Sequence, residues 1–304
     1  MRRLLLAFAL FIGFGAAAQE THTFVRRDTC DLKLDIYRPA TDAPLTFQDR
    51  EKPAVMFVFG GGFITGTRSD AYLVKFYRKL VENGYPVVAL DYRLGMKNVK
   101  VGKGLTGALN ASDAFTNAQD IGVEDVFSAV KFLREHPELG IDVNNLVIAG
   151  NSAGAIISLA AEYAVVRGVS GLEDFNFKGV MSFAGAIIGS KGAPQFNKQP
   201  CPILLFHGTA DKAVQYKSMN AFGHGIWGSH YLSRQFKRKG YPHSIYRYEG
   251  RTHDVAGYML AVWPQVQSFL ENDVIMGTPR FIDATIDDPS LPSWGNISLG
   301  DIYK

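Results

Sequence analysis

Gly150-Asn151-Ser152-Ala153-Gly154 is the segment with the clearest capacity for covalent chemistry. It stands between an apolar run, Leu146 to Ala149, and an apolar helical stretch, Ala153 to Val166. Ser152 is therefore expected on a sharp strand-to-helix turn. At a helix amino terminus, backbone N–H groups and the helix dipole favour developing negative charge. The flanking glycines remove side chains that would block both the turn and an approaching substrate. The chemistry this predicts is attack of a serine hydroxyl on a carbonyl, which needs a base to take the proton and an acid to orient the base.

His253, in Thr252-His253-Asp254, falls after the last apolar run and before a helical pattern, and is the candidate base. Asp211 follows the run Ile203 to His207 through Gly208-Thr209-Ala210 and is the candidate acid, at the strand edge where open α/β sheets gather their functional groups. Glu249 and Asp254 rank below it, since Glu249 adjoins a strand and Asp254 suits helix capping. The order serine, acid, histidine is the one a strand–turn–helix nucleophile uses, and both intervals hold a further strand–helix unit of about 30 residues. Upstream, Phe59-Gly60-Gly61-Gly62-Phe63 closes another apolar run. Its backbone N–H groups, with that of Ala153, form a candidate oxyanion hole.

These residues need a frame that brings distant loops to one edge. Eight runs read as strands: Thr23 to Arg27, Leu32 to Tyr37, Ala54 to Phe59, Pro86 to Asp91, Leu146 to Ala149, Gly179 to Phe183, Ile203 to His207 and Ser244 to Tyr248. They alternate with helical patterns at Ala71 to Val81, Val123 to Arg134, Ala153 to Val166 and about His230 to Lys239, and with a last helix from near Asp254 that Pro264 is expected to kink. Such alternation predicts an α/β fold with a mostly parallel eight-stranded sheet and helices on both faces. Gly95 to Asn117 and Asn272 to Lys304 read as irregular excursions. No repeat or low-complexity linker divides the chain, so residues 19–304 are expected to form a single domain.

Together, Gly60-Gly61-Gly62-Phe63, Asp91-Tyr92-Arg93-Leu94, Gly150-Asn151-Ser152-Ala153-Gly154, His207-Gly208-Thr209-Ala210-Asp211 and His253 resemble the carboxylesterase and hormone-sensitive-lipase-like branch of the α/β-hydrolases, from about Leu32 to Leu270. The resemblance implies oxyanion donors at Gly61, Gly62 and Ala153, structural support from Asp91 to Arg93, and ester hydrolysis through an acyl-enzyme with no metal and no cofactor. Phe59 stands where hormone-sensitive-lipase-like relatives carry histidine, and Asn151 where they carry an acid. Acetyl or feruloyl esters of plant polysaccharides, a serine peptidase and an inactive binding module stay open as alternatives. Phe63, Asn151, Phe222 and Trp227 are candidate pocket residues. Ser218 to Tyr231, which also holds His224 and Tyr231, lies between acid and histidine and suits lining the pocket, and its aromatics equally suit packing on the sheet.

Of the 304 residues, 47% are hydrophobic and 20% charged, as in a globular protein with a buried core. Net charge is +3 with no basic stripe, which excludes a nucleic-acid partner. The expected partner is a small-molecule or saccharide ester. Arg2-Arg3, the apolar run Leu4 to Phe14 and Ala16-Ala17-Ala18 follow the order of a secretory signal, predicting cleavage near Ala18 and a periplasmic or secreted protein. The run is shorter than the ~20 residues a membrane span needs, so no stable membrane anchor is expected. Cys30 and Cys201 are too few for a disulfide scaffold, and their pairing is left open.

Overall fold

The computed structural model describes residues 19–100, 104–278 and 280–293. The signal segment expected at 1–18 lies outside them. In chain order the elements are β1 (Gln19–Arg27), β2 (Cys30–Tyr37), β3 (Thr46–Phe47), β4 (Arg50–Glu51), β5 (Ala54–Val58), α1 (Ala71–Glu82), β6 (Val87–Leu90), α2 (Gly104–Glu135), β7 (Leu146–Asn151), α3 (Ala153–Val166), β8 (Gly179–Phe183), β9 (Ala186–Gly189), β10 (Ile203–Gly208), β11 (Ser218–Ala221), β12 (His224–Gly228), α4 (Ser229–Lys239), β13 (His243–Tyr248), α5 (Trp263–Ser268) and β14 (Phe281–Ile286).

Nine strands form the main sheet in the order β1-β2-β6-β5-β7-β8-β10-β13-β14. β1 and β2 run antiparallel to their neighbours, and every later pairing is parallel. The central strands β5, β7, β8 and β10 are buried nearly throughout, because helices cover both sides and leave no face for polar residues. The crossovers β5–α1–β6 and β7–α3–β8 travel in opposite directions along the sheet. Right-handed connections therefore put α1 and α3 on opposite faces. α2 packs on α3, with Ile157 filling the space beside Gly122, while Phe76 of α1 meets Trp263 of α5 edge to face.

The ninth strand corrects the eight-stranded expectation. β14 falls in a tail that reads as irregular, with Asp283 interrupting its apolar residues, and only its pairing with β13 makes it a strand. α2 corrects the other irregular reading, since residues 104–117 are helical despite Gly104, Gly107 and Asn110. Buried Gln119 clamps this helix to β9, its amide bonding the Ile188 N–H at 2.8 Å and the Ile188 carbonyl at 3.0 Å. The last helix is also divided, into a 3-10 turn at His253–Gly257, α5, and a π-helical turn at Phe269–Ile275. Pro264 sits in the first turn of α5, where no N–H is needed, and so starts a helix instead of kinking one. Both cysteines are free.

A small antiparallel sheet, β11-β12-β9, stands beside the main one. Its hairpin turns at Phe222-Gly223, both at positive φ, a two-residue connection matched to the twist of the strands. Met219 to Phe222 and His224 to Ile226 of this sheet share one cavity with Ser152 and with Ala108 and Phe115 of α2. Among the described residues no helix is long and apolar enough to cross a membrane.

Candidate active site

β5 and β7 are neighbours at the point where the chain reverses its direction across the sheet, and the loops after them meet. Ser152 takes φ 52°, ψ −122°, a strained conformation fixed by its N–H donating to the Phe183 carbonyl at 2.9 Å and its carbonyl accepting from Ile156 at 3.0 Å. Glycine is required around it. A Cβ on Gly154 would lie 2.0 Å from the Val58 carbonyl oxygen, and one on Gly150 would lie 2.5 Å from Gly154. The Ser152 hydroxyl caps no backbone N–H of α3.

Instead the hydroxyl faces His253, whose Nε2 is 2.8 Å from Ser152 Oγ. His253 Nδ1 is 2.7 Å from Asp211 Oδ2. Acid and histidine come from the loops after β10 and β13, which are sewn together: Thr209 N–H donates to the Tyr248 carbonyl, Ala210 N–H to the Arg251 carbonyl, and Gly250 N–H to Thr209 Oγ1. Asp211 is buried, and its Oδ1 accepts from the N–H groups of Ala213 and Val214 at 2.9 Å each. Burial pushes its carboxyl upward, but hydrogen bonds from His207 and His253 outweigh that and hold it well below the usual carboxylate range. The lower-ranked acids lie elsewhere: Glu249 is exposed, and Asp254 accepts from the hydroxyls of Thr252 and Ser293.

The glycine loop reaches Ser152 from the other side. Gly61, Gly62 and Phe63 all take positive φ, and the Gly61 carbonyl accepts from Ile64 and Thr65 N–H groups. A Cβ at Gly60 would come within 2.9 Å of the Asn151 carbonyl oxygen and 3.1 Å of Ser152 Cβ. Gly62, Ser152 and Ala153 border one cavity of about 420 Å³. Its walls are largely apolar, from Phe63, Phe115, Ile156, Ile188, Val214 and Ile226.

Of the expected pocket residues, Phe63 lines this cavity and Phe222 borders it at the hairpin tip, 78% exposed. Two are misplaced by the sequence reading. Trp227 is buried and borders a separate cleft with Tyr163 and Arg167. Ile226 pairs with Ile188 and faces the cavity, so the next residue along β12, paired with Ile187, must face away. Asn151 does not line the cavity either: its Oδ1 accepts the Gly60 N–H at 2.9 Å and braces the glycine loop. Sequence reasoning missed the wall from α2, Ala108 to Phe115, for want of a helical signal among the glycines. His224 does line the cavity, 3.4 Å from Asp113 of that same wall. Asp91 and Arg93 do brace the scaffold, through Arg68 and through buried Asp125. Among the described residues, no group of three or more His, Cys, Asp or Glu is placed to hold a metal ion.

A family model described as "Carboxylesterase family" matches residues 16–169, half of the chain. The chain belongs to the carboxylesterase family. A second model, "Phospholipase/Carboxylesterase", matches residues 111–256 of this carboxylesterase-family chain, the stretch holding Ser152, Asp211 and His253. Lipase 1 of Geotrichum candidum is 29% identical over 164 residues, 53% of this chain and 26% of its own length. The Oryza sativa subsp. japonica protein named "Probable isoprenylcysteine alpha-carbonyl methylesterase ICME" is 27% identical over 264 residues, 73% of this chain and 55% of its own. The chain thus spans about a quarter to a half of the length of these curated relatives. Among solved structures, the apo form of Thermogutta terrifontis esterase 2 is similar at a TM-score of 0.59 and 23% identity, over 84% of this chain and 96% of that one. The butyrate-bound form matches equally, at 0.59 and 22%, over 84% and 95%. The fold of this carboxylesterase-family chain is the α/β-hydrolase fold.

Proposed function

We propose that the protein hydrolyses carboxylic esters with apolar acyl groups, using Ser152 as nucleophile, His253 as general base and Asp211 as the acid that orients the histidine. The observation that carries this reading is the line Asp211 Oδ2, His253, Ser152 Oγ, with spacings of 2.7 and 2.8 Å, ending at the apolar cavity. Asp211 accepts from Nδ1, leaving Nε2 to face the hydroxyl as the basic nitrogen. As Ser152 Oγ bonds to the ester carbonyl carbon, its proton passes to Nε2. The carbonyl oxygen takes up negative charge and is held by main-chain N–H groups of Gly61, Gly62 and Ala153. The carbon–oxygen bond to the alcohol then breaks and the alcohol leaves with the proton from Nε2. Water attacks the acyl-serine in the same way, releasing the acid and restoring the hydroxyl.

A cavity of roughly 150 Å³ accommodates benzene. The 420 Å³ beside Ser152 therefore takes an acyl chain well beyond acetyl, and its apolar walls offer little to a bare sugar. A structural neighbour is described with butyrate bound, and short to medium acyl chains fit the same reading here. The amino-terminal layout of Arg2-Arg3, an apolar run and small residues supports export before the enzyme works in the periplasm or outside the cell. Turnover of p-nitrophenyl esters from acetate to laurate tests the proposal. We expect measurable rates that peak above acetate, and a loss of at least roughly a thousandfold in kcat for Ser152→Ala. Full turnover by Ser152→Ala would end the reading. Residue 19 at the amino terminus of the exported protein would support cleavage after Ala18, and an intact Met1 would refute it.

A further inference from the structure

Asp211 is approached by two histidines. His207 lies four residues before it on β10 and is fully buried. Its Nε2 stands 3.0 Å from the Val214 carbonyl and 3.4 Å from Asp211 Oδ2, the same oxygen that meets His253 Nδ1. A carbonyl only accepts, so Nε2 carries a proton, shared between the Val214 and Asp211 oxygens. His207 Nδ1 is 2.8 Å from Ser229 Oγ at the start of α4, whereas that hydroxyl is 3.4 Å from the Gly185 carbonyl. In a neutral imidazole with its proton on Nε2, Nδ1 accepts, and the Ser229 hydroxyl donates to it. Tyr216 packs its ring edgewise on the imidazole at 5.5 Å between centroids, so the ring is fixed in both tilt and rotation.

The segment His207 docks is the one that holds the acid. Val214 presents its carbonyl to His207 and its N–H to Asp211 Oδ1, so one imidazole and one carboxylate close the same turn from opposite sides. We infer that His207 is a positioning residue for Asp211, anchoring the 211–214 turn and drawing charge from the oxygen that receives the His253 N–H. This rests on the proposed roles of Ser152, His253 and Asp211.

Two consequences follow from the geometry. With the anchor removed, the 211–214 turn loosens, His253 is aligned less often with Ser152 and chemistry slows, while the acyl cavity keeps all its walls but Ala213 and Val214. With the second donor removed, more negative charge rests on the His253 bond, the imidazolium is held more tightly, and the acid limb of the kcat/KM profile moves to higher pH. His207→Phe keeps the ring volume and the Tyr216 contact but carries no nitrogen. His207→Gln keeps an amide N–H close to the Nε2 position. Ser229→Ala leaves His207 in place and removes the donor that fixes its ring, which serves if His207→Phe does not fold.

Kinetics of the full chain on p-nitrophenyl butyrate across pH 5 to 9 decide the matter, with folding checked by near-ultraviolet circular dichroism. For His207→Phe we expect kcat lower by roughly 10- to 100-fold, with KM within about threefold, and an acid limb moved upward by roughly half a pH unit. His207→Gln should recover most of both losses, and Ser229→Ala should show a smaller fall in kcat with the limb moved in the same direction. A folded His207→Phe with parental kcat and profile would overturn the inference, as would a parental Ser229→Ala. Equal losses in Phe and Gln variants with an unmoved acid limb would also overturn it, since packing alone would then explain them. Ser152→Ala run beside them separates the two claims: its full activity sinks the proposed function, whereas its inactivity beside a parental His207→Phe sinks this inference alone.

Discussion

Single side chains set both the strain and the charge at this site. Ser152 is held in its strained turn by two backbone hydrogen bonds, and its neighbour Asn151 couples that turn to the glycine loop through the Gly60 N–H. Asn151→Ala frees that N–H and lets the proposed oxyanion donors drift. We expect kcat to fall by about tenfold with little change in KM, read from steady-state kinetics; an unchanged kcat would reduce Asn151 to packing. A second residue, far from the chemistry, makes the fold sensitive to pH. Glu162 near the end of α3 is 2% exposed, and its Oε1 accepts from Cys201 N–H. Burial pushes its carboxyl up to about 7. A carboxyl raised on folding favours the protonated folded state, so its contribution to stability is whole below the unfolded value near 4.5 and is lost as pH rises through 7. Glu162→Gln keeps the bond to Cys201 and removes the charge. Urea unfolding should show the variant more stable than the parent at pH 8, by on the order of 3 kcal/mol, and equal to it at pH 4.

Whole elements set the shape of the cavity. The amino-terminal part of α2 and the β11–β12 hairpin form its outer walls, and both lie outside the strand–helix alternation legible in the sequence. The period of two along β12 sends Ile226 inward and Trp227 outward, so neighbouring positions have opposite importance for substrate choice. Ile226→Trp fills part of the cavity and should move the best p-nitrophenyl ester toward shorter acyl chains, with acetate turnover retained. Trp227→Phe should leave the chain-length profile in place. A profile unchanged by Ile226→Trp would mean that the acyl group lies elsewhere.

At the scale of the molecule, buried charge ties the outer helix layer to the sheet. Asp125 of α2 is fully buried and accepts from the Arg93 backbone N–H at 2.8 Å, the Arg93 guanidinium and Arg27 of β1. Removing one partner of a buried pair costs about 3 to 5 kcal/mol. Both arginines are about one-fifth exposed here and can rehydrate. Asp125→Ala should therefore cost less than that range, about 2 to 3 kcal/mol, in the urea unfolding midpoint. A shift below ~0.5 kcal/mol would show the network to be surface decoration.

Much of this was legible in the residues themselves. Gly150 to Gly154 identify the turn because only that pattern allows the chain to bend so tightly around a serine, and the buried strands announce themselves as unbroken apolar runs. Helix α3 is readable to its bounds, since it is apolar on nearly every side. Tertiary structure decided what local pattern cannot encode. β14 exists because β13 offers it an edge, and α2 begins at Gly104 because Gln119 and the cavity wall hold a stretch of poor helix formers in place. The inward or outward sense of Trp227 follows from strand register. The second histidine beside Asp211 is within four residues in the sequence, yet its part depends on Val214 and Ser229, which only folding brings against opposite nitrogens of its ring.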